Sequence, residues 1–302
     1  MAVGPYPAPR PIDRSATIAI LTHADQGLVA GTTMARIAAE HWSPAGHRVL
    51  VHRGLGSPPP ADLAILHVGF TVVPEPYLSI AVRYPRTINA GIGNTLKRRV
   101  CTDLLHPDDT YDGPVIVKTD LNHGGKPEWR QRVRRANLPA KAWLKLQECL
   151  PPHWFGRLNG NKYPVLPHKR DVPDWIWRSP DLVVQPLHAE RRGELYAMHQ
   201  WYFLGDQDCV STFLGREPVV KLANVVERLP LHEDVPDALR ERRAELKFDY
   251  GKFDFVIVDG KPILLDANST PNEGTEFPTP PRVVAICGAL AGGLDGFLKL
   301  DA

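Results

Sequence analysis

Gly251-Lys-Phe-Asp-Phe-Val-Ile-Val-Asp-Gly-Lys-Pro-Ile-Leu-Leu-Asp-Ala-Asn-Ser-Thr-Pro271 holds two apolar runs joined by Asp259-Gly260, the pattern of a β-hairpin closed by a tight turn. Residues two apart on a strand share a face. Asp254 on the first strand, with Asp266 and Asn268 on the second, therefore form a set of three oxygen donors able to converge. Hard oxygen ligands of this kind suit Mg²⁺, which keeps an octahedral shell and leaves positions for water and substrate oxygens. The competing reading is a hairpin with solvent-facing acids. It suits Asp259 in the turn. It suits Asp266 poorly, because Leu264 and Leu265 lead into it and a turn signal follows only later.

Upstream, Thr17-Ile-Ala-Ile-Leu-Thr22, a helical periodicity over 32–42 and Arg48-Val-Leu-Val51 make a β-α-β unit, and further short runs at 62–68, 77–83 and 87–90 extend it to a small parallel sheet. No G-x-G-x-x-G follows the first strand, which argues against dinucleotide binding there. A connecting helix is expected over 94–105, a strand at Pro114-Val-Ile-Val-Lys118, and a polar loop at Asn122-His-Gly-Gly-Lys-Pro-Glu128. Helices over 128–136 and 140–150 precede a proline- and tryptophan-rich connection. A strand at 181–185, a hairpin over 194–214 around Gly205-Asp206-Gln207-Asp208, and a charged helix over 236–247 lead to the hairpin quoted first.

Composition narrows the classes. The chain has 302 residues, 36 Lys plus Arg against 34 Asp plus Glu, and a formal charge of +2, so no electrostatic reason calls for nucleic acid or an anionic membrane. Its length implies two or three compact units. The 30 prolines, about twice the usual share of roughly 5%, sit between apolar runs as in a protein with many ordered loops. Cys101, Cys149, Cys209 and Cys287 are widely spaced, without a C-x-x-C pair, and read as reduced thiols. The start has no signal-peptide pattern, so the cytoplasm is the expected compartment. The apolar stretch 283–294 is too short for a bilayer and reads as a packed helix.

The hairpin resembles the metal-binding end of the ATP-grasp superfamily, whose usual pattern is an Asp-Phe-like strand, a turn and a Leu-Glu-x-Asn-x-x-Pro strand end. Here it reads Asp254-Phe255 and then Leu265-Asp266-Ala267-Asn268-Ser269-Thr270-Pro271, with Asp266 where Glu is commoner. Pro114-Val-Ile-Val-Lys118 is similar to the family's strand ending in a phosphate-binding lysine, and Asn94-Thr-Leu-Lys97 to the preceding segment with a second lysine. For Lys97, within Lys97-Arg98-Arg99, a solvated helix face is the alternative. Asn122 to Glu128 is similar to the glycine-rich flap over the phosphates, where Gly124 and Gly125 allow close backbone approach; it departs from the usual Gly-Ser-x-Gly. Leu182-Val-Val-Gln-Pro-Leu187 resembles the hinge that hydrogen-bonds adenine, through Gln185 and Leu187. Pro186 stands where an acid often follows, leaving Glu190 or Glu194 as ribose partners, with Glu194 the one assigned.

The resemblance implies an α/β chain, α+β in its C-terminal part: an ATP-grasp fold behind an N-terminal Rossmann-like parallel sheet. The implied divisions are a flexible leader at 1–14, the Rossmann-like domain at 15–105, a central subdomain with the flap at 106–187, and a C-terminal subdomain with the metal hairpin at 188–302. The implied activity is that of a ligase of the glutathione synthetase or D-alanine–D-alanine ligase type. With ATP and two Mg²⁺ ions, or Mn²⁺ in their place, it would turn a carboxylate into an acylphosphate that an amine attacks. Lys118 and Asn272 would be the catalytic residues; Lys97, Lys118, Gly124, Gly125, Gln185, Leu187 and Glu194 would hold ATP; Asp254, Asp266 and Asn268 would hold metal. The implied partners are a small-molecule carboxylate and an amine. A kinase acting on a hydroxyl and a non-catalytic nucleotide-binding or docking protein are the other readings. Of the polar residues near expected strand ends, His23, His67, Asn89, His199, Arg216 and Asn272 are pocket candidates, and only Asn272 is placed near the acceptor. The aromatic run 154–177 serves either as a substrate lid or as packing. Homodimers are common at this size, but no sequence feature locates an interface.

Overall fold

A computed structural model of the chain describes residues 15–26, 32–158, 163–272 and 279–299; the expected leader at 1–14 lies outside them. Two compact units emerge, one of Met1–Gly69, Val73–Gly93 and Glu190–Ala302, the other of Phe70–Val72 and Asn94–Ala189.

The first unit begins with a parallel sheet of β1 (Thr17–Thr22), β2 (Arg48–Arg53), β3 (Leu63–Leu66) and β4 (Thr87–Ile88) in the order β2-β1-β3-β4. Ile18, Ile20, Leu63 and Ile65 are fully buried, as strands of a parallel sheet covered on both faces require. Between β1 and β2 run α1 (Thr33–Ile37) and a π-helical turn over Ala38–Trp42. Thr32 caps α1, its Oγ1 accepting from Ala35 N at 3.2 Å, and the Trp42 indole donates to Ala291 O at 3.0 Å. α2 (Glu75–Ala81) connects β3 to β4. Past β4, Asn89 adopts a positive φ of 66°. Its Oδ1 accepts from Asp249 N at 3.1 Å and Tyr250 N at 2.9 Å, and its Nδ2 donates to Tyr250 O at 2.8 Å. That clamp corrects the pocket expectation for Asn89, whose amide is committed to backbone.

The second unit contains α3 (Lys97–Val100), β5 (Val115–Thr119), α4 (Lys126–Arg135), α5 (Leu138–Cys149), β6 (Val165–Leu166), α6 (Asp174–Trp177) and β7 (Leu182–Pro186). Its antiparallel sheet has the order β6-β5-β7. The helix expected over 94–105 is a single turn. Leu96 and Cys101 are extended on either side of it, the Asn94 side chain accepts from Leu96 N at 2.9 Å, and the buried Asp120 carboxylate accepts from Arg98 N at 2.9 Å and from the Arg98 guanidinium. Side-chain acceptors, one local and one twenty-two residues on, take the N–H groups of Leu96 and Arg98 at the start of that turn. Val115, Val117, Val172, Ile176, Leu182 and Val184 form the core, with Trp175 and Trp177 packed against it; for these two tryptophans the packing reading holds.

The first unit resumes with β8 (Glu190–Arg192), β9 (Leu195–Leu204), β10 (Gln207–Gly215), β11 (Val225–Arg228), α7 (Asp237–Leu246), β12 (Tyr250–Val258), β13 (Lys261–Asn268), α8 (Pro281–Ala291) and α9 (Asp295–Leu298). The strands form an antiparallel sheet, β11-β10-β9-β12-β13, with β8 on β9. Asp259 and Gly260 both take positive φ, 51° and 75°, as a two-residue turn between twisted strands demands. The helical stretch Pro281–Leu298 matches a membrane span by length and composition alone. Val283, Ile286, Cys287, Leu290, Ala291 and Leu294 from it lie in the first unit's core, with Ile18, Met34, Trp42 and Tyr202.

Candidate active site

In the first unit the strand register puts Asp254 directly opposite Asp266, and Lys252 opposite Asn268. On the neighbouring strand Asp254 faces Gln200 and Lys252 faces Tyr202, and Gln200 in turn faces Ser211 of β10. Cross-strand partners share a face, so Ser211, Gln200, Asp254 and Asp266 make one polar row, and Tyr202, Lys252 and Asn268 stand in the next row on that face. The alternate row, Trp201, Phe253 and Ala267, is buried. Two like charges directly opposed on a half-buried face repel one another. Lys252 Nζ relieves this in part, 3.1 Å from Asp254 Oδ1. The sequence reading passed over Lys252, although it lies two residues from Asp254 and therefore on its face. Among the described residues no group of three His, Cys, Asp or Glu side chains is placed to hold a metal. Two carboxylates and one amide do suit Mg²⁺ when phosphates and waters supply the remaining oxygens. Asn268 Oδ1 already accepts from Thr270 N at 2.8 Å and Thr270 Oγ1 at 3.3 Å, so ligation would take over the Thr270 hydroxyl's place. Asp266 Oδ1 accepts from Ala267 N at 3.1 Å. Asn272 is exposed and forms a bridge with Thr32.

The second unit holds the two lysines. Lys118, on β5 and 7% exposed, donates to Gln185 Oε1 at 2.7 Å. The fully buried Gln185 passes the connection on, its Nε2 donating to Asp103 Oδ1 at 2.6 Å, and Asp103 also pairs with His188. Lys97 is 2% exposed rather than on a solvated face; its Nζ donates to Asn122 Oδ1 at 3.3 Å. Asn122 in turn donates from Nδ2 to Thr95 Oγ1 at 3.1 Å and from its backbone N to Thr71 Oγ1 at 3.0 Å. The polar loop expected at 122–128 is a turn over Asn122–Gly125, kinked at the non-helical His123 and Gly124, after which α4 starts at Lys126. His123, Gly124 and Gly125 all take positive φ, 51°, 65° and 70°. A Cβ at Gly125 would meet only the movable end of the Leu121 side chain, Cδ1 at 2.9 Å, so it is the positive φ that selects glycine there. Glu128 fastens the start of α4, its Oε1 accepting from Thr71 N at 2.8 Å. Sequence reasoning had no signal for Thr71 or Asp103, which arrive from distant loops.

Of the hinge residues, Leu187 N already donates to Pro114 O at 2.8 Å, so a contact at 187 would fall to its carbonyl. Glu194 is exposed in the turn between β8 and β9. Glu190 is committed elsewhere: its carboxylate accepts from His199 Nε2 at 2.8 Å, Ile257 N at 2.7 Å and Arg192 Nε at 3.0 Å. His199 also meets Thr212 Oγ1 at 2.8 Å, and that hydroxyl meets His232 Nε2 at 3.1 Å. This network makes His199 structural. His67 is buried and held neutral by that burial, its pKa lowered to about 4. His23 Nδ1 accepts from Asp25 N at 3.1 Å, and Arg216 is exposed.

Burial alone would raise the Glu190 pKa, but the hydrogen bonds from His199, Ile257 N and Arg192 outweigh it and hold the carboxyl below its ordinary 4.5. A depressed folded-state pKa gives stability that is present above the unfolded value and lost as pH falls through the folded one. Glu190→Gln is therefore expected to cost about 1–3 kcal/mol at pH 7 and to show a shallower loss of melting temperature below pH 4.5 than the wild type. Parallel acid limbs in the two melting profiles would show that Glu190 carries no such linkage.

No family model and no curated protein matches the chain. Solved structures do. The macrocyclase MdnC bound with precursor peptide MdnA from Microcystis aeruginosa MRC is similar at a TM-score of 0.51 and 11% identity, over 91% of this chain and 98% of that one. A RimK domain ATP-grasp protein from Sphaerobacter thermophilus DSM 20745 matches at 0.45 and 13%, over 93% and 99%. D-alanine–D-alanine ligase from Bacillus anthracis matches at 0.45 and 10%, over 95% and 97%. At such identities the likeness is one of fold.

Proposed function

We propose, from the premise that this chain has the ATP-grasp fold, that it is a Mg·ATP-dependent ligase joining a small-molecule carboxylate to an amine in the cytoplasm. The observation that carries the reading is the direct opposition of Asp254 and Asp266 on a half-buried face beside Asn268. A protein has little reason to hold two carboxylates there unless a divalent cation offsets their repulsion. The buried ammonium groups of Lys97 and Lys118 support it, since each is a compact positive charge suited to phosphate oxygens.

When bound, Mg·ATP would supply the γ-phosphoryl group that converts the acid to an acylphosphate open to attack by an amine. The chain's part is placement and charge. Asp254, Asp266 and Asn268 would hold Mg²⁺, one ion or two, with Mn²⁺ able to substitute. Gln185 fixes the Lys118 side chain, so that its charge can neutralise phosphate without reorganising. Gly124 and Gly125 would let the backbone approach the phosphates closely, with Glu128 anchoring that turn to Thr71. Gln185, Leu187 and Glu194 remain the proposed adenosine contacts, and Asn272 the residue nearest the acceptor. In this reading 106–187 and 188–302 are the two ATP-grasp subdomains behind the domain at 15–105.

A thermal-shift titration with Mg·ATP tests the assignment. Ligand at 100 times its dissociation constant is expected to stabilise the wild type by about 2.7 kcal/mol. The shift should require magnesium and vanish in Lys118→Ala. A folded wild type that shows no magnesium-dependent shift would remove the basis for an ATP-dependent enzyme.

A further inference from the structure

The second unit gathers positive charge in one place. Residues 126–158 carry eight Lys or Arg against two acids, Glu128 and Glu148, in a chain whose whole charge is +2. Lys126, Arg130, Arg132, Arg134 and Arg135 of α4 and Lys145 of α5 are exposed, while Glu128 is taken up by Thr71 N. No residue of α4 is buried. Residues 159–162, the part of this unit outside the described residues, read Asn-Gly-Asn-Lys and add no acid. The balanced charge of the whole chain conceals that segregation.

A basic run by itself is a solvated face, but here large apolar side chains stand in it. Leu138 is 82% exposed, Trp143 53% and Trp154 65%, with Leu146 exposed as well. Among the described residues Trp143 and Trp154 are the only exposed Trp, Tyr or Phe side chains. By helical geometry Leu138, Trp143 and Leu146 fall in a sector about 60° wide, roughly opposite the buried Leu144. The helix α5 is therefore apolar on two sides, and the fold uses one of them. The surface is built rather than loose: Arg157 lies over the Trp129 ring of α4 at 4.3 Å and donates to Gln147 O of α5 at 3.2 Å, and Trp143 meets Phe155 edge-on at 6.3 Å.

We propose that α4, α5 and Trp154 dock this protein on an anionic lipid bilayer as a peripheral contact. A second copy of the chain does not suit the face, since like charges would meet. Asn137, the uncharged polar residue between the two helices, is spent on capping α5, its Oδ1 accepting from Ala140 N at 3.1 Å. The face thus offers charge and apolar bulk but little that would orient a protein partner, and a fluid bilayer requires no such orientation. Trp and Leu flanked by Lys and Arg make up a helix that lies in the membrane interface. There indole rings settle at headgroup level and basic side chains meet anionic headgroups. The proposal goes beyond the ligase reading and does not depend on it.

Vesicles of phosphatidylcholine and phosphatidylglycerol in a two-to-one mixture are the probe, with phosphatidylcholine vesicles as the neutral control. The full chain is expected to co-sediment with the anionic vesicles at least about tenfold more tightly than with the neutral ones, and to release them as salt is raised. Brominated acyl chains should quench its tryptophan emission, and the double variant Trp143→Ser, Trp154→Ser should lose that quenching. The double variant Arg130→Glu, Arg135→Glu, at two exposed positions, should bind at least about tenfold more weakly; it carries the test should the tryptophan variant fail to fold. Both variants should keep the wild-type Mg·ATP increment in melting temperature. No binding, equal binding to the two kinds of vesicle, quenching that survives the tryptophan changes, or binding untouched by charge reversal overturns the proposal and leaves the ligase reading standing. Tighter binding to polyglutamate or to a single-stranded oligonucleotide than to the anionic vesicles also overturns it, and gives the face to an acidic macromolecule. A variant that loses the Mg·ATP increment together with the vesicles would put the face in the nucleotide site, and overturns it too. Vesicle binding as expected in a protein with no Mg·ATP shift would sink the ligase reading alone.

Discussion

Asp266→Asn is expected to lose Mg·ATP-dependent turnover by about 1000-fold or more while folding at least as stably as the wild type. The loss follows from removing a ligand whose metal supplies several kcal/mol of charge stabilisation, each ~1.4 kcal/mol being tenfold in rate. The stability follows from the register. Asp254 and Asp266 are directly opposed, with Lys252 Nζ 3.1 Å from Asp254 Oδ1, so without metal the substitution removes a like-charge contact worth about 0.2–1 kcal/mol. Asparagine also keeps an oxygen for Ala267 N. The two effects have opposite signs, which separates a metal ligand from a structural acid. Melting curves without and with Mg·ATP, on both proteins, check it: a variant that melts lower in the absence of ligand and keeps its magnesium-dependent increment would return Asp266 to an ordinary surface role. An unchanged rate of ADP release, measured with an acid and amine that support turnover in the wild type, would do the same.

How far the sequence could be read depended on whether a residue's partner was local. The β12–β13 hairpin was legible because turn chemistry and two-residue periodicity both lie within one continuous stretch, and the observed register pairs Asp254 with Asp266 accordingly. The expected helix at 94–105 was not, because its single turn is held from outside the stretch, by the carboxylate of Asp120, twenty-two residues from Arg98. The loop at 122–128 illustrates the same limit from the other side. Gly124 and Gly125 announced positive φ, yet nothing in the stretch announced that His123 would share it or that Glu128 would reach Thr71, fifty-seven residues away. Asn89 and His199 looked like pocket residues for a related reason. A polar side chain at a strand end is ambiguous until its partners are known, and theirs are Asp249 and Tyr250 in one case, Glu190 and Thr212 in the other.

In the Gly292-Gly293 pair that follows α8, the second glycine has a specific task. A Cβ on Gly293 would stand 1.9 Å from Leu204 O and 2.8 Å from Leu204 C, both backbone atoms. The facing Gly205, at φ 56°, would put its own Cβ 2.6 Å from Gly293 O. The two backbones touch with no room for a side chain on either. The turn at Gly205 cannot retreat cheaply, because Gly205 N donates to Asp249 O at 2.9 Å and Arg243 Nη2 donates to Gly205 O at 2.7 Å. Gly293→Ala is therefore expected to destabilise by more than about 4 kcal/mol, beyond the usual range for a single substitution, which at this chain length lowers the melting temperature by about 10 °C or more. Gly292→Ala is the control, since its Cβ would meet only Gln207 Cγ at 3.8 Å and its φ is −68°; it should melt within about 2 °C of the wild type. Similar melting temperatures for the two variants would mean the backbones do not approach as described. The consequence reaches the polar row, because the opposite end of α8 carries Arg282, whose Nη1 donates to Ser211 Oγ at 3.1 Å beside Gln200 and Asp254. A helix pushed off the β9–β10 turn at one end withdraws that contact at the other, so any Gly293→Ala protein that does fold should bind Mg·ATP more weakly than Gly292→Ala.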